Sequence, residues 1–288
     1  MQLWACRYTL TPRRTLSAIA RPGAREGALI RAGNGFADVH PWPELGDAPL
    51  DEQLALLARG ETTPLTRASL HHARTDADAR ERGVSLFDGL RIPLSHWPGD
   101  DPPEVFDTAK VKGAASLPPD VRLRIDFNAT LRAEELVHLA DALPKERIDF
   151  VEDPCPYDAD VWSALRAQTG LRLAFDINVP SPRLRGEGQG EGFDVLIHKP
   201  ALHAEFPESN REVVVTSYMD HPVGQFHAAY VASTHPVSAR CGLFTHVLYE
   251  SNPFIERVRA EGARLLPPEG TGIGFDDLLE KLPWKKLA

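Results

Sequence analysis

Five short apolar segments in the middle of the chain each end in a charged residue and are followed by residues that form turns. The charged ends are Lys112, Asp126, Glu152, Asp176 and Lys199. Short, nearly continuous apolar runs are typical of parallel strands that are buried on both faces. The last four ends lie 26, 24 and 23 residues apart, and each interval has room for a strand, a helix and two loops. The pattern therefore predicts a series of βα units.

The same pattern extends from residue 89 towards the C-terminus and predicts a barrel. The connections at residues 113–125, 177–198 and 200–216 are short or rich in proline and glycine, so we expect no full helix there. The predicted fold class is α/β, a modified TIM-type (β/α)7β barrel with shortened crossovers, whose strand ends meet at one mouth. The first strand is predicted at Leu90–Leu94. The eight strands are predicted to end near Leu94, Lys112, Asp126, Glu152, Asp176, Lys199, Ser217 and Thr245.

The first 88 residues show a different pattern and predict a small α+β unit. A polar loop from Thr11 to Glu26 lacks both strand and helix periodicity, and we expect it to close over the barrel mouth as a lid. The predicted domains are 1–88 and 89–288, with a C-terminal tail that is able to return to the first domain. The predicted elements are strands at Leu3–Tyr8, Ala28–Ala32 and Phe36–Val39, a Gly33-Asn34-Gly35 turn, and helices at Leu50–Arg59 and Leu65–Arg82.

Composition and charge restrict the classes of function. A length of 288 residues allows one large domain and one small one. The net charge of −9 argues against a nucleic-acid partner, and the lack of an apolar run of about 18 residues argues against a membrane span. Three scattered cysteines, Cys6, Cys155 and Cys241, predict reduced thiols in a cytoplasmic protein. The expected partner is a small-molecule carboxylate, bound by a monomer or a homo-oligomer.

Three of the strand ends are carboxylates, and their convergence predicts a metal site. Asp126, Glu152 and Asp176 would repel one another at the barrel mouth unless a cation lay between them. Ligation by oxygen alone suits Mg²⁺, with Mn²⁺ as an alternative. Surface ion pairs would be the non-functional explanation for the same three residues.

Three lysines accompany these acids and indicate acid–base chemistry. Lys110 and Lys112 share one face of a strand, and Lys199 ends a strand across the barrel. A lysine that removes a proton must be neutral for part of the time, and neighbouring cations favour the neutral amine. Lys112 is therefore the predicted base, with Lys110 adjusting it and Lys199 facing the other side of the substrate. Solvated lysines without a catalytic role are the alternative.

The order of these motifs resembles that of the enolase superfamily, in its muconate-lactonising subgroup. The motifs are Lys-x-Lys, Asp-x-Asn, Glu-Asp-Pro, Asp and Lys, at strands two to six. Segments 123–128, 151–155, 197–200 and 270–274 are similar in particular to the o-succinylbenzoate synthase family. The resemblance implies that the N-terminal unit is a capping domain and that the three acidic strand ends bind Mg²⁺. It also implies an enediolate, formed when the α-proton of a carboxylate substrate leaves.

The resemblance implies a hydro-lyase that carries out syn dehydration of 2-succinyl-6-hydroxy-2,4-cyclohexadiene-1-carboxylate to o-succinylbenzoate in menaquinone biosynthesis. An N-succinylamino-acid racemase or a related epimerase of the same superfamily is the alternative. A dipeptide epimerase would carry Asp-x-Asp on strand eight, and the segment 240–245 has none. A decayed, non-catalytic metal-binding barrel is suggested by the short crossovers, but the retained lysines and carboxylates argue against it.

Three further residues are assigned to the substrate or to the surroundings of the metal. Asn128 would orient a water ligand of the metal. Arg124 would lie inside the barrel below the first acid, where it would either balance carboxylate charge or contact the substrate. The resemblance implies that Ser217 contacts the succinyl end of the substrate. In one departure from the family, Ile177-Asn178 follows the third acid where Glu-Ser is usual.

Overall fold

An antiparallel sheet packed against two helices forms the N-terminal cap. The computed structural model describes residues 2–16, 20–176 and 192–287. Both predicted cap helices are present, and the first two strands are longer than predicted. In chain order the elements are β1 (Leu3–Leu10), β2 (Arg25–Ala32), β3 (Gly35–Val39), α1 (Leu50–Ala58) and α2 (Pro64–Glu81).

Helix α2 begins at a capping box and buries one face against the cap sheet. The hydroxyl of Thr63 accepts a hydrogen bond from the amide of Thr66, which satisfies one of the free donors at the helix start. A Cβ on Gly35 would lie 1.9 Å from the carbonyl oxygen of Ala73. The helix therefore contacts the backbone of β3 directly, and a side chain at position 35 would separate the two elements.

Parallel strands from residue 94 onwards close into a TIM-type barrel, which confirms the predicted fold class. Their segments are β4 (Leu94–Ser95), β5 (Trp97–Pro98), β6 (Thr108–Lys112), β7 (Arg122–Asp126), β8 (Ile148–Glu152), β9 (Leu173–Asp176), β10 (Val195–His198), β11 (Glu212–Val215) and β12 (Arg240–Cys241). Strands β5 to β11 form one parallel sheet in chain order. A bridge between Thr216 and Gly242 joins β11 to the end of β12, and β12 pairs with β4. These two contacts close the ring.

Helices cover only part of the outside of the barrel. Within the described chain, residues 113–121 join β6 to β7, and residues 199–211 join β10 to β11, without a helix. The third connection that was predicted to be short, after β9, falls largely on residues 177–191, which lie outside the described residues. The crossover helices are α3 (Ala133–Ala140), α4 (Ala159–Thr169) and α5 (Pro222–Thr234).

The first and last barrel strands differ from the prediction. Strand one was expected at Leu90–Leu94, but it forms as the two short segments β4 and β5 on either side of His96. Pro93 and Pro98 lack amide hydrogens, so a longer ladder cannot form there. Strand eight ends at Cys241 rather than near Thr245, which begins a 3₁₀ helix.

The C-terminal segment returns to the cap and completes its sheet. Its elements are β13 (Arg259–Glu261), β14 (Arg264–Leu266), α6 (Asp276–Leu279) and β15 (Lys285–Lys286). β15 pairs with β1 in antiparallel orientation. The carboxylate of Asp76 in α2 accepts hydrogen bonds from the backbone amides of Ile273 at 2.5 Å and Phe36 at 2.8 Å. Asp76 therefore links the C-terminal segment to the cap. Among the described residues, every helix is too short or too polar to cross a bilayer.

Two buried carboxyl groups face each other where the cap meets the barrel. Asp38 of β3 and Asp220, just before α5, lie 2.9 and 2.5 Å from the point where a Cβ on Gly224 would be. Asp38 accepts hydrogen bonds from the hydroxyl of Tyr8 at 2.7 Å and from the amide of His221 at 3.0 Å. Burial raises the pKa of Asp220 to about 7, and burial together with the charge of Asp220 raises the pKa of Asp38 well above its usual value. The pair therefore holds a proton near neutral pH.

Replacing Asp220 by Asn is expected to stabilise the protein more at pH 8 than at pH 5. The pKa of Asp220 is higher in the folded state than in the unfolded state. The stability that this group contributes is therefore fully present below about pH 4 and is lost as the pH rises through about 7. Ionisation of Asp220 should therefore lower the free energy of unfolding of the wild type by roughly 2–3 kcal/mol between pH 5 and pH 8. Urea unfolding at both pH values measures it, with the exposed Asp141→Asn as the matched control. An equal effect of Asp220→Asn at both pH values would contradict the shared-proton interpretation.

Candidate active site

The register of the barrel strands brings the charged strand ends to one level. Lys112 lies opposite Asp126 on the neighbouring strand, and Asp126 lies opposite Glu152 on the next. Neighbouring strands are about 4.8 Å apart, so these side chains point into the same layer of the barrel. The alternate residues Ile125 and Phe175 point outwards into the apolar layer beneath α3 and α4. Alternation along each strand thus separates the polar interior from the apolar exterior.

A cavity of about 620 Å³ lies at the carboxyl ends of these strands, beneath the cap. This volume is typical of a site for a small molecule. The cap contributes Arg14, Leu16 and Trp42 to its wall. The structure brings together at this cavity all the residues assigned from the sequence except Arg124, namely Lys110, Lys112, Asp126, Asn128, Glu152, Asp176, Lys199 and Ser217.

The lysines form ion pairs with the acids of this cavity. The Nζ atom of Lys110 lies 2.9 Å from a carboxylate oxygen of Asp126 and 2.6 Å from one of Glu152. Lys112 lies 2.5 Å from the same Asp126 oxygen, and Lys199 pairs with Asp176. Burial alone would lower the pKa of Lys110, but the charges of Asp126 and Glu152 raise it above its usual value. Each of the three lysines therefore contacts at least one acid of the cavity.

Three adjacent carboxylates form a site that suits a divalent cation. Oxygens of Glu152, Asp153 and Asp176 all lie within 4.8 Å of one another, and all three residues are buried. Burial and the charge of Asp126 raise the pKa of Glu152 to about 7, and burial and the charge of Asp176 raise the pKa of Asp153 well above its usual value. Oxygen Oε2 of Glu152 is buried and has no hydrogen-bond partner among the described residues. An all-oxygen donor set with an unused buried acceptor fits a hard cation.

This group of oxygens differs from the predicted ligand set in one member. Asp153 joins Glu152 and Asp176, whereas Asp126 is the partner of the two lysines on β6. Asp153 has a positive φ of 41°, and its carboxylate accepts a hydrogen bond from the amide of Asp176 at 3.1 Å. Its position in the Glu-Asp-Pro motif was the sequence signal that could have identified it.

Asn128, Ser217 and Arg124 occupy three different environments. The amide of Asn128 donates to Asp126 at 2.9 Å, and its side-chain oxygen lies 3.4 Å from Nζ of Lys112. The hydroxyl of Ser217 lies 2.5 Å from that of Thr245 on the cavity wall. Arg124 is buried below the cavity, where it forms an ion pair with Asp149 at 2.9 Å. Its described contacts are those of a charge-balancing residue.

The loop after β1 closes over the cavity. A bridge joins Pro12 to Tyr249, and the amide of Arg13 donates to the carbonyl of Leu248 at 2.8 Å. Nη2 of Arg14 donates to the carbonyl of Pro98 at 2.9 Å. Residues 17–19 lie outside the described residues. The described part of the loop therefore connects the cap to barrel strand one and to the segment that follows strand eight, across the cavity mouth.

Removing the Arg14 side chain is expected to loosen this loop. Arg14→Ala should lower kcat/KM about 3- to 10-fold, because the hydrogen bond to Pro98 and the charge contacts with Asp100 and Asp101 are lost. The melting temperature should barely change, since the side chain is partly exposed. Steady-state kinetics and thermal unfolding measure both effects, with the exposed Arg59→Ala as the control. Unchanged kcat/KM would show that the loop does not depend on this contact.

Comparison with known proteins assigns the chain to a family. Residues 3–79 match the family model described as O-succinylbenzoate synthase, N-terminal domain, and residues 77–184 match the one described as Enolase C-terminal domain-like. An o-succinylbenzoate synthase from Bdellovibrio bacteriovorus is 36% identical, and the match covers 97% of each chain. The chain belongs to the o-succinylbenzoate synthase family. The resemblance deduced from the strand-end motifs is therefore confirmed.

Solved structures of other enolase-type enzymes share the fold of this o-succinylbenzoate synthase family member. The muconate lactonizing enzyme from Mucobacterium smegmatis superposes with a TM-score of 0.77 at 18% identity, covering 98% of both chains. The L-Ala-D/L-Glu epimerase from Bacillus subtilis superposes with a TM-score of 0.76 at 16% identity, covering 95% of this chain and 98% of the epimerase. At these identities the likeness concerns the capped barrel alone.

Proposed function

We propose that this chain is a metal-dependent hydro-lyase that converts 2-succinyl-6-hydroxy-2,4-cyclohexadiene-1-carboxylate to o-succinylbenzoate in menaquinone biosynthesis. The observation that supports it most strongly is the placement of two lysines on opposite sides of a buried acidic cluster. Lys112 ends β6 and Lys199 follows β10, so three strands separate them on either side of the ring. A planar carboxylate substrate between them would have an amine on each face.

Asp126, Glu152 and Asp176 are the proposed metal ligands, and Asp153 supports them from the adjacent position. Mg²⁺ is the proposed ion, with Mn²⁺ as an alternative, because all the donors are hard oxygens. When bound, the cation neutralises the buried carboxylates and stabilises the negative charge that develops on the substrate carboxylate. The family membership of the chain supports this assignment, and the acidic cluster supports it for Glu152 and Asp176.

Lys112 carries the proton transfer in this proposal. Its neutral amine removes the α-proton, and the electron pair left on carbon expels the hydroxyl group from the neighbouring carbon. The same lysine returns its proton to the departing oxygen, so water leaves from the face that lost the proton. One base thus serves both steps of a syn elimination. Lys110 lies beside this base and forms ion pairs with Asp126 and Glu152.

Lys199 and the remaining polar residues hold the substrate. The ammonium group of Lys199 would stabilise negative charge on the opposite face. Asn128 orients the base through its contact with Lys112, and Ser217 is placed to contact the succinyl end. Arg124 supports the floor of the site through its ion pair with Asp149.

A racemase acting on N-succinylamino acids is the second candidate, because the same two lysines could each exchange a proton. The full-length match to a synthase at 36% identity favours dehydration. The segment that forms strand eight carries no Asp-x-Asp, which argues against a dipeptide epimerase. Buried carboxylates that pair with lysines would be costly to retain in a barrel without a catalytic role.

A spectroscopic assay of the wild type tests the proposal. The cyclohexadiene becomes aromatic when water leaves, so the product can be followed by ultraviolet absorbance and confirmed by mass. We expect multiple turnovers per enzyme in the presence of Mg²⁺, and none with Glu152→Gln. Absence of turnover by a folded, Mg²⁺-supplied wild type would contradict the proposed function.

We also propose a cytoplasmic location. The three cysteines are unpaired and buried. Burial raises the pKa of Cys241 to about 12, so this thiol stays protonated and unreactive. Unpaired thiols are typical of reducing compartments, where menaquinone precursors would be available to an enzyme of this class.

A further inference from the structure

His96 lies on the cavity wall and takes no part in the reaction described above. It interrupts barrel strand one between β4 and β5, and only 3% of its surface is exposed. Its amide donates to the carbonyl of Cys241 at 2.9 Å, which fixes the residue against strand eight. Its side chain lines the same cavity as the lysines and carboxylates. A buried imidazole at this position needs a partner for each ring nitrogen.

One ring nitrogen is bound by Arg124. Nδ1 of His96 lies 2.9 Å from Nη1 of Arg124. A guanidinium group only donates hydrogen bonds, so Nδ1 must accept, and the proton of the neutral ring must sit on Nε2. Burial, followed by the charge of Arg124, holds the pKa of His96 well below its usual value, so the ring stays neutral. Burial and the charge of Arg124 therefore keep the ring neutral, and the contact with Arg124 fixes its tautomer.

The Nε2–H group faces the cavity. In the described part of the chain, Nε2 has no hydrogen-bond acceptor. It is also absent from the fully buried side-chain atoms without a partner, so it is not fully buried. Since the residue is otherwise enclosed by protein, this atom reaches open space at the cavity that His96 lines. The donor is thus fixed in direction and free for a ligand.

The surroundings of His96 show which end of the substrate it would meet. A Cβ on Gly242 would lie 3.1 Å from Cε1 of His96 and 2.6 Å from Cγ2 of Thr216. Because Gly242 has no side chain, His96 and Thr216 can both pack against it. Oγ1 of Thr216 is buried and has no partner among the described residues. Ser217, proposed to contact the succinyl end, follows directly. Polar groups that need a partner therefore gather on this side of the cavity.

We propose that His96 is a substrate-binding residue whose Nε2–H donates a hydrogen bond to an oxygen of the succinyl chain. The inference rests on the proposed function, since it requires a succinylated carboxylate in this cavity. The succinyl carboxylate would accept a charge-assisted bond from a donor that is already held in position. His96 would then select for the succinyl chain rather than for the reacting carboxylate.

Two isosteric variants separate this role from simple support of Arg124. His96→Asn keeps an oxygen near the position of Nδ1, where it can accept from Arg124, but it loses the donor at the cavity. His96→Gln places an amide N–H near the position of Nε2 but loses the acceptor for Arg124. Binding of o-succinylbenzoate to each protein in Mg²⁺ is measured by titration calorimetry. Benzoate, which lacks the succinyl chain, serves as the control ligand.

We expect His96→Asn to weaken o-succinylbenzoate binding about 10- to 100-fold, with an unchanged melting temperature, and His96→Gln to stay within about threefold of wild type. Benzoate should bind all three proteins alike. Nitrogen-15 NMR of the wild-type imidazole should show the proton on Nε2, and this proton should shift when o-succinylbenzoate is added. Wild-type binding by His96→Asn, or a proton on Nδ1, would overturn the assignment of His96 alone. A wild type that neither binds o-succinylbenzoate nor forms it would overturn the proposed function as well.

Discussion

Dialysis against EDTA is expected to abolish dehydration, and added Mg²⁺ is expected to restore it. Oxygens of Glu152, Asp153 and Asp176 lie within 4.8 Å of one another, and burial together with the charge of Asp126 raises the pKa of Glu152 to about 7. Buried carboxylates this close repel one another. The developing charge on the substrate carboxylate would meet the same repulsion without a cation. Activity before and after dialysis, in a buffer treated to remove metals, measures the effect.

Thermal unfolding provides a second measure of the same metal site. An ion that binds only the folded protein stabilises it by about 2.7 kcal/mol at a concentration one hundred times its dissociation constant. Mg²⁺ should therefore raise the melting temperature of the wild type but not that of Glu152→Gln, which lacks one ligand charge. Asp141→Asn, on an exposed surface, should respond like the wild type. Full activity of a metal-free preparation would contradict the metal assignment.

Lys112→Ala is expected to lower kcat for dehydration by about 10² to 10⁴-fold, since the variant lacks the proposed general base. Lys112→Arg should be equally inactive, because a guanidinium group is not deprotonated in proteins. Lys199→Arg keeps a positive charge and should retain part of the activity. Steady-state rates at saturating substrate and Mg²⁺ compare the three variants.

The exposed Lys145→Ala is the matched control for these lysine variants. Its rate should equal that of the wild type, since Lys145 and its partner Asp141 are exposed and do not line the cavity. A Lys112→Ala enzyme that keeps more than about a tenth of the wild-type rate would show that another group acts as the base, because loss of a general base costs far more.

The strand ends could be deduced from the sequence because parallel barrels impose a simple pattern. A short apolar run followed by one charged residue identifies both the strand and the side chain that it delivers to the mouth. Lys112, Asp126 and Glu152 occur in this pattern, and the structure places them in register on neighbouring strands. Local periodicity was also sufficient for the two cap helices.

Features that depend on contacts between distant segments could not be deduced in this way. Asp153 joins the acidic cluster because its backbone adopts a positive φ, which no periodicity indicates. His96 separates the two short segments of strand one, between Pro93 and Pro98, where the apolar pattern is weak. The pair of Asp38 and Asp220 forms only when the cap docks on the barrel, because the two residues come from different domains.

In the proposed mechanism one lysine is the base of dehydration, and the other only stabilises charge. Exchange of the α-proton of each N-succinyl amino acid enantiomer in deuterated water, run beside turnover of the cyclohexadiene, tests it most directly. We predict that the wild type turns over the cyclohexadiene rapidly and that Lys112→Ala does not. Lys199→Arg should keep part of this turnover but lose proton exchange from one enantiomer of the N-succinyl amino acid. Rapid exchange of both enantiomers by a wild type that does not turn over the cyclohexadiene would contradict the account and identify a racemase.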